Sequence, residues 1–274
     1  MKLFTFGDSW TEGVGSNRKE EYTTDNPEEK TIIRQKYSWP SYLAKLLSID
    51  VKNNGVGASC NNSIFNFICK HLKSNIIKQN DLVIIMWSSP LRDELPFFPS
   101  ENNFTIWGER YKSKKHIYDS IDEINPIDDD LNYLRLNKDF KDYYLNNLFN
   151  DSYYHNISQN YILYLQFMFK ELGINYVFCD AFDNIIYNNI NKDIDKTNLI
   201  DSVHYWGYKE TTFADYLINL KRKDVWEDEN YWIDKTVGKH PSGVGYELIA
   251  KELYNFIIKN NLLKENNSKN LYLI

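Results

Sequence analysis

Several kinds of residue and pattern are scarce in this chain, and each scarcity excludes something. Only three cysteines occur in 274 residues, Cys60, Cys69 and Cys179. They cannot all pair, and their spacing matches neither a zinc site nor a CxxC motif, so reduced thiols of a cytoplasmic protein are expected. No apolar run approaches the roughly 18 residues that a membrane span needs. The opening "MKLFTFGDSW" lacks the long apolar core and small-residue cleavage site of a signal peptide, which again points to the cytoplasm. There is no surplus of positive charge: 32 Lys and Arg stand against 38 Asp and Glu, for a net charge of -6. A nucleic-acid partner is therefore not expected, because phosphate binding draws on such a surplus. Local basic runs such as "KSKK" (112–115) and "KRK" (221–223) read as solvated faces. The acidic runs "IDDD" (127–130) and "NKDIDK" (191–196) lack the glycine turn and closing Glu of a calcium loop. No metal and no cofactor is expected. Histidine is scarce too, with five in the chain, so candidate bases are few.

The chain is 42% hydrophobic and 16% aromatic, which is ample for a packed core. Short apolar runs alternate with helical patterns. "KLFTF" (2–6), "DVKNNG" (50–55), "DLVIIMW" (81–87) and "INYVFCDA" (174–181) read as strands. "DLVIIMW" is continuous and rich in β-branched residues, as in a strand covered on both faces. Helices are expected over 38–48, 61–73, 157–173 and 241–260, from apolar residues at helical spacing, a Pro near two starts and Gly173 at one end. This alternation predicts an α/β fold: a three-layer α/β/α sandwich around a central parallel sheet, flavodoxin-like, in a single domain. Ligands of such sheets bind beyond the carboxyl ends of the strands. Ser9, the stretch Gly55–Asn61 and Ser88–Ser89 all fall on that rim. Residues 90–155 and 182–235 do not follow the alternation and are expected as insertions at the same rim, lids or binding loops.

The stretch "TFGDSWTEGVGS" (5–16) poses a choice between a nucleophile and a phosphate cradle. No Lys follows its glycines as in a P-loop, and "GVGASC" (55–60) is not GxGxxG. "GDSW" also fails the GxSxG elbow. A Ser hydroxyl needs a positioned base. His71 lies on a helix stripe, and His116 and His155 have no companion motif. His240, on a loop directly before the last helix, is the leading candidate. His204, preceded by Asp201 in "DSVH", is its rival, and Cys60 is a more distant rival nucleophile, better read as a small near-core residue.

"FGDSWTEG" (6–13) resembles the first block of the SGNH, or GDSL-type, hydrolases, and "HPSGVGYELIA" (240–250) resembles their last block, HPxxxGxxxIA. The two stand in the right order at opposite ends of the chain. The resemblance implies a serine esterase that cleaves ester or O-acetyl groups, with Ser9 as nucleophile and His240 as general base. It implies an oxyanion hole from the Ser9 N–H and a glycine of the second block, Gly57 or else Gly55. The family's third-block Asn has no counterpart in "MWSSPLRDE" (86–94). Ser89 stands closest to that position, and Asn61 is the alternative. The family's Asp three residues before the His is Val237 here. Asp234 is then the candidate acid, or a backbone carbonyl holds Nδ1–H and leaves a dyad. Trp10, Arg92 and Trp206 are candidate substrate contacts, with Arg92 alternatively in an ion pair with Asp93 or Glu94. Tyr208 and Trp226 join Trp206 as aromatic lid residues that would stack on a sugar or grip an acyl chain. The expected partner is a small-molecule or carbohydrate ester, and the sequence sets no oligomeric state. Acyl transfer to a carbohydrate, or a binding module that kept the fold and lost the reaction, are the other readings.

Overall fold

The computed structural model describes residues 1–94, 105–107, 150–186, 196–227 and 240–263. Six strands are present among them: β1 (Leu3–Gly7), β2 (Val51–Gly55), β3 (Leu82–Trp87), β4 (Arg92–Glu94), β5 (Thr105–Trp107) and β6 (Asn175–Asp180). The helices longer than a 3-10 turn are α1 (Ser9–Glu12), α2 (Arg18–Glu21), α3 (Pro27–Lys36), α4 (Trp39–Leu47), α5 (Asn61–Lys73), α6 (Asp151–Leu172), α7 (Phe213–Asn219) and α8 (Gly243–Lys259). Strands β1, β2, β3 and β6 form one parallel sheet in the order β2-β1-β3-β6. β4 and β5 pair antiparallel as a separate ribbon.

The strand pattern divides the core into two layers. Every residue of β1, β3 and β6 is buried, so neither face of these three strands is left to solvent, while the edge strand β2 is buried only at Asn54 and Gly55. Leu3, Leu82, Ile84 and Val177 point to one face, where they meet Trp39 and Leu43 of α4, Phe213 and Leu217 of α7, and Tyr246, Ile249 and Leu253 of α8. Phe4, Phe6, Val83, Ile85, Tyr176 and Phe178 point to the other, against Ile64 and Ile68 of α5 and Ile162, Leu165 and Phe169 of α6. Period-two alternation in the strands thus makes the three-layer α/β/α sandwich. The fold class matches the expectation.

Two differences from the sequence reading have plain causes. The helix expected over 157–173 begins earlier, at Asp151, because the Asn150 side chain accepts the Tyr153 N–H at 3.1 Å and caps it there. α3 carries no fully buried residue, so it offers no apolar stripe to read. It is set instead by its ends: Asn26 caps the Glu28 N–H, Pro27 opens the helix, acidic residues fill the first turn and Arg34 and Lys36 the last.

The chain runs from β1 to β2 on one side and returns to β3 on the other. β1 therefore sits at the reversal of strand order, where open α/β sheets form their crevice. Ser9 is the second residue beyond it.

Candidate active site

Ser9 opens α1 directly after β1. Gly7 permits this tight exit, since a Cβ there would run into Thr11 and the Met86 carbonyl. The fully buried Asp8 ties the rim together. Its Oδ1 accepts the Trp10 N–H at 3.0 Å. Its Oδ2 accepts the Ser88 hydroxyl at 2.9 Å and Arg92 Nη1 at 3.0 Å. Arg92 Nη1 also donates to the Ser59 carbonyl at 2.9 Å. Segments following β1, β2 and β3 are thereby joined through one carboxylate and one guanidinium.

The general-base candidate arrives from the other end of the chain. His240 Nε2 lies 3.0 Å from Ser9 Oγ. The reach comes from a short antiparallel clip: Trp226 bridges to Pro241, the Glu227 N–H donates to the His240 carbonyl at 3.1 Å, and the Ser242 N–H donates to the Val225 carbonyl at 2.9 Å. Ser242 then caps α8 through the Gly245 N–H, and the Tyr246 hydroxyl donates to the Val14 carbonyl at 2.8 Å. Helix α8 is thereby tied to the segment after Ser9.

The same clip delivers a carboxylate. Glu227 Oε1 lies 3.5 Å from His240 Nδ1 and accepts the His240 backbone N–H at 3.2 Å. Glu227 Oε2 accepts Arg18 Nε at 3.1 Å. Burial pushes the Glu227 carboxyl upward, but its bonds to His240 and the charges of His240 and Arg18 outweigh that and hold it below its ordinary range. Gly15, at φ +83°, passes so close that a Cβ would stand 2.5 Å from Glu227 Oε2 and 2.9 Å from His240 Cβ. A larger residue there would displace both. Ser9, His240 and Glu227 thus form a Ser–imidazole–carboxylate line with reach suited to proton transfer.

Sequence reasoning missed Glu227. Asp234, the acid it named, lies outside the described residues, as does Val237. The rival His204 is placed elsewhere: its Nδ1 lies 3.1 Å from Asp201 Oδ2 and its ring stacks on Tyr176 at 4.3 Å, on the sheet face covered by α5 and α6. Cys60 is buried at the start of α5.

The oxyanion donors named from sequence divide into two kinds. The Gly57 N–H donates to Glu12 Oε2 at 2.7 Å, and Glu12 in turn pairs with Arg34 Nη1 at 2.8 Å. The Gly55 N–H donates to Asn53 Oδ1 at 2.9 Å. Asn61 spends its amide inside the protein: Nδ2 donates to the Ser88 carbonyl and to Ser158 Oγ, both at 3.1 Å, while Oδ1 accepts the Ser88 N–H at 2.9 Å. These three are corrections to the expected roles, because a donor already bonded inside the protein has to leave that partner first. The Ser9 N–H and the Ser89 hydroxyl have no acceptor among the described residues, Ser89 Oγ itself accepting the Leu91 N–H at 3.3 Å. Ala58 adopts φ +64° in the same loop, a left-handed conformation uncommon for a residue with a Cβ.

The three expected substrate contacts are corrected as well. Trp10 is 2% exposed and packs edge-on to Phe182 and Trp226. Trp206 is buried and stacks on Phe213 at 3.7 Å. Trp226 is buried too, and Tyr208 donates its hydroxyl to the Thr197 carbonyl at 2.7 Å. Aromatic rings amid polar sequence looked like a lid, but their apolar area is spent on the core. Arg92 pairs with Asp8, both side chains being almost wholly buried, so its charge serves the rim. Removing one partner of such a pair typically costs about 3–5 kcal/mol.

Among the described residues no cluster of His, Cys, Asp and Glu could hold a metal ion, and no helix is long and apolar enough to cross a membrane. No protein-family model matches the chain, and no curated protein does. Among solved structures, a protein assigned to the G-D-S-L family from Desulfitobacterium hafniense DCB-2 is similar over 93% of this chain and 98% of its own, at 14% identity and a TM-score of 0.43.

Proposed function

We propose that the protein is a serine acylhydrolase. In this reading His240 Nε2 takes the proton of Ser9 Oγ as that oxygen attacks an ester carbonyl. The Ser9 N–H and the Ser89 hydroxyl are the donors offered to the oxyanion. Each well-placed donor of this kind is worth roughly 3–4 kcal/mol. Glu227 holds the imidazole by Nδ1 and stabilises the imidazolium that forms. As the tetrahedral intermediate collapses, His240 gives its proton to the departing alcohol and Ser9 carries the acyl group. Water, deprotonated by the same imidazole, then releases the acid. The reading in which the fold survives without the reaction rested on two departures, the missing third-block Asn and the missing Asp before the His, and a carboxylate behind His240 answers the second of them.

The observation that carries the proposal is the 3.0 Å approach of Ser9 Oγ to His240 Nε2 across 231 residues of sequence. Covalent catalysis leaves a kinetic mark. Mixing the protein with p-nitrophenyl acetate is expected to release a burst of nitrophenol close to one equivalent per chain, followed by slower steady turnover whose product is acetate. Steady release with no dependence on Ser9 would end the proposal. Partition of product between acetate and an acetylated sugar, with a sugar acceptor added, distinguishes hydrolysis from transfer.

A further inference from the structure

We infer that Arg92 is a positioning residue for the oxyanion hole: through Asp8 it holds the Ser9 N–H and the Ser89 hydroxyl in register with each other. The inference rests on the acylhydrolase reading and adds to it the residue that keeps the two donors in place. They come from different strand ends, Ser9 following β1 and Ser89 following β3, so nothing covalent fixes their spacing. Donors stabilise a developing oxyanion only if they are already aimed at it, and a misplacement of about 1 Å can cost roughly 100-fold in rate.

The Asp8–Arg92 pair reaches both donors. On the Ser9 side, Asp8 is the N-cap of α1, and its Oδ1 accepts the Trp10 N–H at 3.0 Å. That bond sets the direction of the first helical turn and with it of the Ser9 N–H. On the Ser89 side, the Ser88 hydroxyl donates to Asp8 Oδ2 at 2.9 Å, and the Ser88 backbone is held separately by Asn61. The Arg92 backbone N–H donates to the Ser89 carbonyl at 3.2 Å, and its Nη1 returns to the same Asp8 oxygen at 3.0 Å. Ser89 thus stands in a turn gripped on both flanks, with one carboxylate joining the two grips. Nη1 also donates to the Ser59 carbonyl at 2.9 Å, in the loop after β2. The arginine is itself anchored from behind. Its backbone opens β4, opposite Trp107 of β5, and its Cζ lies 5.8 Å from the ring of Phe182, which packs on Trp10 at 4.9 Å. Both charges are almost wholly buried. A buried pair adds little stability over apolar residues of the same volume; in this site it fixes geometry.

The test separates geometry from stability. Arg92→Met and Asp8→Asn each leave one buried charge alone and are expected to lower Tm, whereas the double variant, with neither charge, should recover most of the loss. Activity should not recover with it. In the double variant kcat for p-nitrophenyl acetate is expected to stay about 100-fold below the wild type with KM little changed. The Ki of phenylboronic acid, whose tetrahedral anionic adduct on Ser9 leans on the same donors, should rise by about the same factor. A purely structural pair would give back kcat and Ki together with Tm, and that result would overturn the inference. If the double variant stays as unstable as the single ones, Arg92→Lys decides, because it keeps a charge beside Asp8 on a side chain that ends short of the Nη1 position. Its kcat per folded chain and its Ki are expected to worsen about tenfold, and unchanged values would overturn the inference. If the wild type turns over p-nitrophenyl acetate through Ser9 while the variants behave as a purely structural pair would, the acylhydrolase reading survives and this one does not. If Ser9 supports no turnover in the wild type, both fall.

Discussion

Replacing Ser9 or His240 with Ala is expected to lower kcat for an ester by roughly 10⁴–10⁶-fold. Ser9→Ala removes the only atom that would become acylated. His240→Ala leaves that atom but takes away the imidazole 3.0 Å from it, and a neutral hydroxyl at its ordinary acidity is a poor nucleophile. Because the two groups act on one proton, their effects do not add. The double variant should fall no further than either single one. Steady-state kinetics on all three variants check this. Multiplying losses would mean that the residues work independently, contrary to the geometry.

Glu227→Ala is expected to cost about 10⁴-fold in kcat, the scale seen when the acid behind a catalytic histidine is lost. Glu227→Gln should lose nearly as much despite its matched shape. An amide can present an N–H to Nδ1 and favour the wrong tautomer, and it cannot stabilise the imidazolium. Two local bonds limit collateral damage: the Glu227 backbone still donates to the His240 carbonyl, and the Trp226–Pro241 bridge does not involve the side chain. A second readout follows from linkage. The Glu227 carboxyl is held below its ordinary range in the folded protein, burial opposing and the bonds and charges of His240 and Arg18 prevailing. A depressed folded value adds stability that is fully present above the unfolded value and is lost as pH falls through the folded one. The wild type should therefore be more stable than Glu227→Gln at pH 7, with the gap closing below about pH 4. Thermal denaturation at both pH values measures it. A gap that widened in acid would remove Glu227 from the ion-paired role.

What the sequence could disclose follows from how local each signal is. Strands β1, β3 and β6 were legible because buried parallel strands are largely apolar, as "LVIIMW" shows, and β2, "VKNNG", was legible from its place in the alternation between two helical patterns. Ser9 and His240 were legible because each sits in its own motif, one past a strand and one before a helix. Their meeting is then a consequence of the sheet edge. Glu227 could not be found the same way. It faces His240 through a clip between 225–227 and 240–242, thirteen residues before the His and not the three that the motif uses, and one Glu among many acidic residues carries no mark. A weak signal existed in Gly15, whose need to be small reflects the carboxylate and imidazole passing beside it.

The aromatic residues misled for a related reason. Composition tells that Trp206, Tyr208 and Trp226 are interleaved with polar groups, but not that Tyr205 bridges to Phe178 and draws the segment onto the sheet, where Trp206 stacks on Phe213. Asn61 shows the opposite error. Its amide was free in the sequence and is fully occupied in the fold, holding both backbone groups of Ser88. Helices α2 and α3 lack the apolar period that would have announced them and are fixed by caps and ion pairs.

The most direct measurement of the central claim is the site of covalent modification by a fluorophosphonate. The account predicts one adduct per chain, mapped by peptide mass spectrometry to Ser9, formed at a rate that collapses in His240→Ala. An intact chain left unmodified, or an adduct on another serine with Ser9 untouched, would contradict it.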